Sequence, residues 1–141
     1  MPKHQIVVDT NVFFAALRSS EGASHRLFQL IESGKFQLNV SVPLILEYES
    51  IAKRHQEDTN LTGEEIDDII DYICGQSNES KIYYLWRPYL KDPKDDMVLE
   101  LAAAAKCSHI VTFNIKDFGN IGSFGIRAIA PKEFLQLIGG I

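Results

Sequence analysis

The sequence predicts an α/β fold, a parallel β-sheet with helices packed on both faces. Short β-branched runs alternate with longer stretches of helical apolar spacing along the whole chain. The first run, Gln5-Ile6-Val7-Val8-Asp9, has no polar alternation, which is the pattern of a strand covered on both sides. A chain of 141 residues, 45% hydrophobic and 23% charged, can also bury a sizeable core. No repeat, low-complexity tract or Pro/Gly linker interrupts it, so residues 1–141 read as a single domain.

The elements follow in order. After the strand over 5–9, Thr10 or Asn11 can cap a short helix over 12–18. Residues 19–23 form a loop, and Leu27, Leu30 and Ile31 mark a helix over 24–33 that Gly34 closes. A second strand spans 36–42, and Pro43 suits the first position of a helix reaching 55. Residues 57–61 are polar and loop-like. Thr62 and Glu65 make a capping box for a helix to 76, whose Glu64, Glu65, Asp67, Asp68 and Asp71 form a solvated face. Residues 81–86 form a third, aromatic-rich strand. Asp92 and Pro93 break the chain before Asp95 starts a very apolar helix over 97–106. Strands over 109–112 and 126–129 follow, and Pro131 opens a terminal helix carrying Phe134, Leu135 and Ile138.

Composition narrows the function classes. No apolar run approaches the ~18 residues that a spanning helix needs. The start, Met1-Pro2-Lys3-His4, passes straight into a strand, which argues against a cleaved signal peptide. Cys74 and Cys107 have neither CxxC nor finger spacing and read as ordinary thiols of a cytoplasmic protein. A formal charge of -5 argues against a sequence-blind DNA-coating protein. No membrane role is expected.

The informative feature is which acids fall where strands pass into helices, because open parallel sheets build their sites at the carboxyl ends of the strands. Asp9 ends the first strand. Buried there unpaired it would cost several kcal/mol, so it needs a metal or strong donors, unless it simply caps the next helix. Glu47 shares a stripe with Leu44, Tyr48 and Ile51 and should point inward, whereas Glu49 sits four residues before Lys53 and suits an exposed ion pair. Asp95 aligns with Val98, Leu99 and Ala102, the buried stripe, while Asp96 aligns with Glu100 on the solvent side. Asp95 is therefore preferred, with Asp96 kept as the alternative. Asp117 follows the fourth strand, where it could equally be a turn residue.

Carboxylates converging in one cleft repel one another unless a hard divalent cation lies between them. Oxygen-only ligation selects Mg²⁺ or Mn²⁺, and such an ion can activate water and clamp the oxygens of a phosphoryl displacement. Setting the four acids aside takes the formal charge from -5 to -1, and two divalent cations would make it +3. An acidic protein can thus present a positive site to a phosphodiester. Phe13, Phe14, Tyr83, Tyr84, Trp86 and Tyr89 could stack on bases, although core packing is the commoner fate of such residues. A haloacid-dehalogenase phosphatase would want a second Asp where Asn11 stands, and no phosphate-binding glycine loop is present.

Four segments in order resemble the PIN domain, and in particular the VapC-like toxin components of bacterial and archaeal toxin–antitoxin systems. They are Ile6-Val7-Val8-Asp9-Thr10-Asn11-Val12, Leu44-Ile45-Leu46-Glu47-Tyr48, Asp92-Pro93-Lys94-Asp95 before Leu99-Glu100-Leu101-Ala102, and Val111-Thr112-Phe113-Asn114-Ile115-Lys116-Asp117-Phe118. The resemblance implies a three-layer α/β/α sandwich and a Mg²⁺- or Mn²⁺-dependent ribonuclease. It further implies a homodimer held inactive by an antitoxin protein. It carries the family's four acids onto Asp9, Glu47, Asp95 and Asp117, as catalytic residues and metal ligands, with Asn11 and Thr112 supporting them. Asn114 stands where many relatives have another Asp, and Asp96 where a small or amide residue is usual. The rival expectation is a PIN-like module that binds RNA or protein without cutting. The apolar residues of 82–90 and the stripe Ile66, Ile69, Ile70 and Ile73 offer faces for a dimer, and core packing explains the stripe equally well.

Overall fold

The computed structural model describes residues 3–81, 90, 92–119 and 121–140. Five strands, β1 (His4–Val8), β2 (Phe36–Val40), β3 (Asn78–Glu79), β4 (His109–Val111) and β5 (Arg127–Ile129), form one sheet. All pair in parallel, in the order β3-β2-β1-β4-β5. Around it, among the described residues, run α1 (Thr10–Arg18), α2 (Ala23–Gln29), α3 (Val42–Arg54), α4 (Gly63–Gln76), α5 (Pro93–Ala104) and α6 (Pro131–Ile138). This is the expected α/β architecture. Ile6, Val7 and Val8 are at most 1% exposed, so the central strand is covered on both faces, as its unalternating sequence implies.

Several boundaries differ from the sequence reading, each for a local reason. Asp9, not Thr10 or Asn11, caps α1, because its carboxylate accepts the Thr10 N–H. Ser41 caps α3 through the Leu44 N–H, which starts that helix before Pro43. Asp92 caps α5, so this helix opens at Pro93 rather than at Asp95. The loop after α3 contains a 3₁₀ turn, Gln56–Asp58. Gly34, at φ +82°, ends the 3₁₀ turn after α2 in the left-handed conformation that glycine adopts without strain. The Thr62–Glu65 capping box forms with both of its hydrogen bonds. The described third strand is only Asn78–Glu79, and most of the aromatic run expected as a strand lies outside the described residues.

One core contact ties the first strand to two helices. The Phe13 ring of α1 stacks on Tyr48 of α3, with centroids 4.3 Å apart and planes 8° from parallel. Both side chains are at most 2% exposed, and each such burial stabilises the fold by roughly 1.5–3 kcal/mol. The Tyr48 hydroxyl donates to the carbonyl of Val8, the last residue of β1. The end of β1, the start of α1 and the Glu47 turn of α3 are thereby held together. Ile66, Ile70 and Ile73 of α4 are buried in the same core, so most of that stripe is spent within the monomer.

Candidate active site

With β1 central and β2 and β4 on either side of it, the strand order reverses direction next to β1. A crevice is expected there, beyond the carboxyl ends of β1 and β4. Asp9 follows β1 and Thr112 follows β4, and the two are adjacent. The Asp9 N–H donates to Val111 O at 2.9 Å, and the Thr112 hydroxyl donates to Asp9 Oδ2 at 2.8 Å. Asp9 Oδ1 accepts the Thr10 N–H at 2.8 Å. Asp9 is therefore a helix cap and a crevice acid at once, since each carboxylate oxygen can accept more than one hydrogen bond. Only 7% of it is exposed. Burial pushes its carboxyl above the usual carboxylate range, the two hydrogen bonds oppose this, and the charges of Glu47 and Asp117 push it further up.

Glu47 points inward as its stripe predicts. The Thr10 hydroxyl donates to Glu47 Oε2 at 2.6 Å, and Lys94 Nζ lies 3.7 Å from Oε1. Glu49 instead faces Lys53 at 3.7 Å, and Lys53 also meets Asp67 at 2.7 Å.

The acids of α5 require a correction. Asp96 is not on a solvent face. It is 1% exposed and accepts the Leu90 N–H at 2.7 Å, while Glu100 is 2% exposed. The reason is that α5 is buried nearly all round, with Val98, Leu99, Leu101 and Ala102 at most 1% exposed, so periodicity alone had no water-facing side to find. Asp95 lies half-buried in the crevice wall, and the exposed cap residue Asp92 lines its mouth. The Asp95 carboxyl is pushed up to about 7, first by burial and then by the charges of Asp9, Asp92, Asp117 and Glu47.

Asp117 sits exposed in the 3₁₀ turn Ile115–Phe118, outside the crevice wall, yet its charge is felt by both Asp9 and Asp95. Asn11 Oδ1 accepts the Phe113 N–H at 3.4 Å, tying α1 to the segment after β4. The Asn114 N–H donates to Thr112 Oγ1 at 3.0 Å, which fixes the hydroxyl that in turn donates to Asp9. Asn11 and Asn114 both line the crevice.

The cleft so formed has a volume of about 490 Å³ and brings Asp9, Glu47, Asp92 and Asp95 into one wall system. It also contains Phe14, which the sequence offered for stacking on bases, and Arg18, together with Thr10, Ile51, His55, Asp58 and Lys94, to which the sequence reading gave no role beside the acids. Helical spacing could have found several of them, because 11, 14 and 18 share one face of α1, and 47, 51 and 55 one face of α3. Among the described residues, the group of three whose ligand atoms all lie within 4.8 Å of one another is His55, Glu57 and Asp58, at the far end of α3. The four selected acids approach one another less closely.

The donor set fits a hard cation. Its acids offer oxygen only, and burial first, then neighbouring negative charges, raise the carboxyls of Asp9 and Asp95 above the usual carboxylate range. Asp9 and Asp95 would hold the ion, with Glu47 in the same cleft. Thr112 makes a direct test of how much this depends on orientation. We expect Thr112→Val, nearly isosteric, to destabilise the fold by about 1–3 kcal/mol at pH 7, because a buried carboxylate loses a donor. It should also weaken Mn²⁺ binding by about 10-fold or more. Thermal melts and calorimetry check both, and an unchanged Mn²⁺ affinity would remove Thr112 from the site.

Fold and site together define a parallel α/β protein with a carboxylate cluster at the reversal point of its sheet. A family model of the PIN domain matches residues 5–116. The chain belongs to the PIN domain family. Among solved structures it is similar to a chain in the crystal structure of VapBC2 from Rickettsia felis bound to a DNA fragment from their promoter. The identity is 14% and the TM-score 0.61, over 88% of this chain and 98% of that one. No curated protein sequence matches.

Proposed function

We propose that this PIN domain is a Mg²⁺- or Mn²⁺-dependent endoribonuclease, the toxin of a toxin–antitoxin pair. The observation that carries the reading is that Asp9, Glu47, Asp92 and a half-buried Asp95 line one cleft at the strand ends. Such a cluster is costly to keep unless a cation joins it. Bound there, the ion supplies positive charge to offset that developing on a phosphodiester and acidifies a nearby water. The chain's own residues do the rest. Thr10 and Thr112 fix the carboxylates of Glu47 and Asp9, Glu47 and Asp117 orient the attacking water, and Lys94, exposed at the mouth beside Glu47, attracts the phosphate.

A second feature supports the antitoxin. On the side of α1 away from the acids, Phe13, Ala16, Leu17, Phe28, Ile69 and Tyr72 help line an apolar cavity of about 400 Å³. A groove of that chemistry suits the apolar face of a partner helix. An antitoxin laid there could pass a basic side chain over α1 into the cleft, where it would compete with the ion for the carboxylates. The same reading takes the protein as a cytoplasmic homodimer. No helix among the described residues is long and apolar enough to cross a membrane.

The test is calorimetric titration of Mn²⁺ into the metal-free protein, paired with an RNA cleavage assay. We expect saturable heat and cleavage that chelation abolishes. RNA binding without metal heat or cleavage would instead favour a PIN-like module that holds RNA without cutting it.

A further inference from the structure

We propose that the end of the cleft farthest along α1 from Asp9 is a nucleobase seat, built by Phe14 and Arg18 of α1 with Ile51 of α3 and His55 at its C-terminal end. The proposal rests on the nuclease reading for its orientation but not for its binding chemistry. Both helices begin at the acids, α1 after Asp9 and α3 with Glu47 in its second turn, and both present a stripe to the same cleft. At 1.5 Å of rise per residue, Phe14 stands about 4.5 Å and Arg18 about 10 Å further along α1 than Asn11. Ile51 and His55 stand about 6 and 12 Å beyond Glu47. Over roughly the length of one nucleotide the cleft therefore gains the rings of Phe14 and His55 and the Arg18 guanidinium, with Asp58 also in its lining there.

The groups at that end already pack against one another, Arg18 over the Phe14 ring and His55 edge-on to it. The Arg18 guanidinium carbon lies 5.5 Å from the Phe14 ring centroid, and the His55 ring meets Phe14 at 5.8 Å and 62°. Phe14 is not needed for the core contact made by its neighbour. Phe13 is 1% exposed against Tyr48, while Phe14 is only half-buried and lines the cleft. The Phe14 ring and the Arg18 guanidinium are both planar groups on which a base can stack, and Arg18 adds a positive charge; a phosphate alone would not require the planes. Bases inside a duplex have both faces occupied by their neighbours, so the seat selects single strands, loops and bulges.

The experiment is RNA binding measured by fluorescence anisotropy in Mg²⁺ buffer, in the Asp9→Asn background so that the RNA stays intact. The probes are a short single-stranded RNA and a blunt duplex containing the same sequence. We expect Phe14→Ala to weaken the single strand by about 5-fold or more and to leave the duplex unchanged. Phe14→Trp should retain single-strand binding, with its indole emission quenched by the base. Arg18→Lys, which keeps the charge and loses the plane, should weaken the single strand as well. Failure of the parent protein to bind the single strand, an unchanged affinity in Phe14→Ala, or equal losses on single strand and duplex would each overturn the proposal. Cleavage by the unmodified protein is read separately, so a chain that seats a base without cutting would lose the nuclease reading and keep this one.

Discussion

Under the proposed function, the Asp9→Asn protein is expected to lose RNA cleavage by about 10³-fold or more while folding normally, the effect of removing about 4 kcal/mol of charge stabilisation from a phosphoryl transition state. The substitution is chosen because it separates charge from structure. The Asn side-chain oxygen can still accept the Thr10 N–H that caps α1, and the Thr112 hydroxyl can turn to accept from the new amide. What disappears is one negative charge, 7% exposed, among other acids. In the absence of metal the variant should melt no lower than its parent, since a crowded anion has been neutralised. Cleavage of RNA in Mn²⁺ at the parent rate by a folded Asp9→Asn preparation would end the nuclease assignment.

The metal-free protein should become less stable as the pH rises from about 4 to 8, opposite to the usual acid lability of folded proteins. The Asp95 carboxyl titrates near 3.8 when unfolded and is raised to about 7 in the fold. Between those values the native state holds a proton that the unfolded chain has lost. Its contribution to folding is therefore greatest below the lower value and is lost as the pH climbs through the upper one. Asp9, also raised, acts in the same direction. His109 opposes them, because burial and the neighbouring His4 and Arg127 lower its pKa, so stability from that ring increases with pH. The clean measurement is therefore the difference between the protein and Asp95→Asn in chelator at pH 5 and pH 8. The Asn variant should be the more stable at pH 8 by on the order of 1–2 kcal/mol, after allowance for solvent screening at a partly exposed group, and the gap should be well under that at pH 5. Mn²⁺ should stabilise the parent more at pH 8 than at pH 5. A gap that does not change with pH would show that Asp95 is not the strained group.

Much of the fold and of the acid cluster was legible in the sequence because the signals were redundant. The Ile-Val-Val run marked β1, and Asp9 directly after it could go nowhere but the sheet edge. The stripe of Leu44, Tyr48 and Ile51 carried Glu47 inward. Asp96 and Glu100 misled because they lie on a helix whose apolar composition leaves no contrast between faces; burial and the Leu90 N–H, donating to Asp96 from outside the helix, show where that acid goes. Asp9 posed a choice between cap and site that the geometry dissolves, since its two oxygens do separate work. The grouping of Phe14, Arg18 and His55 stayed hidden for a different reason. It depends on α1 and α3 lying side by side, which no local pattern states.

The contact between Asp9 and Thr112 spans 103 positions of sequence. The four selected acids come from as many separate stretches, the last at position 117. A polypeptide emerging from the ribosome carries Asp9 early but has nothing to set beside it until β4 has been made and inserted next to β1. Because pairing at such range is slow to form, the ensemble comes into being late and all at once. Timing is thereby written into the strand order: for most of its synthesis the chain has no cleft, and a complete one exists only near the end.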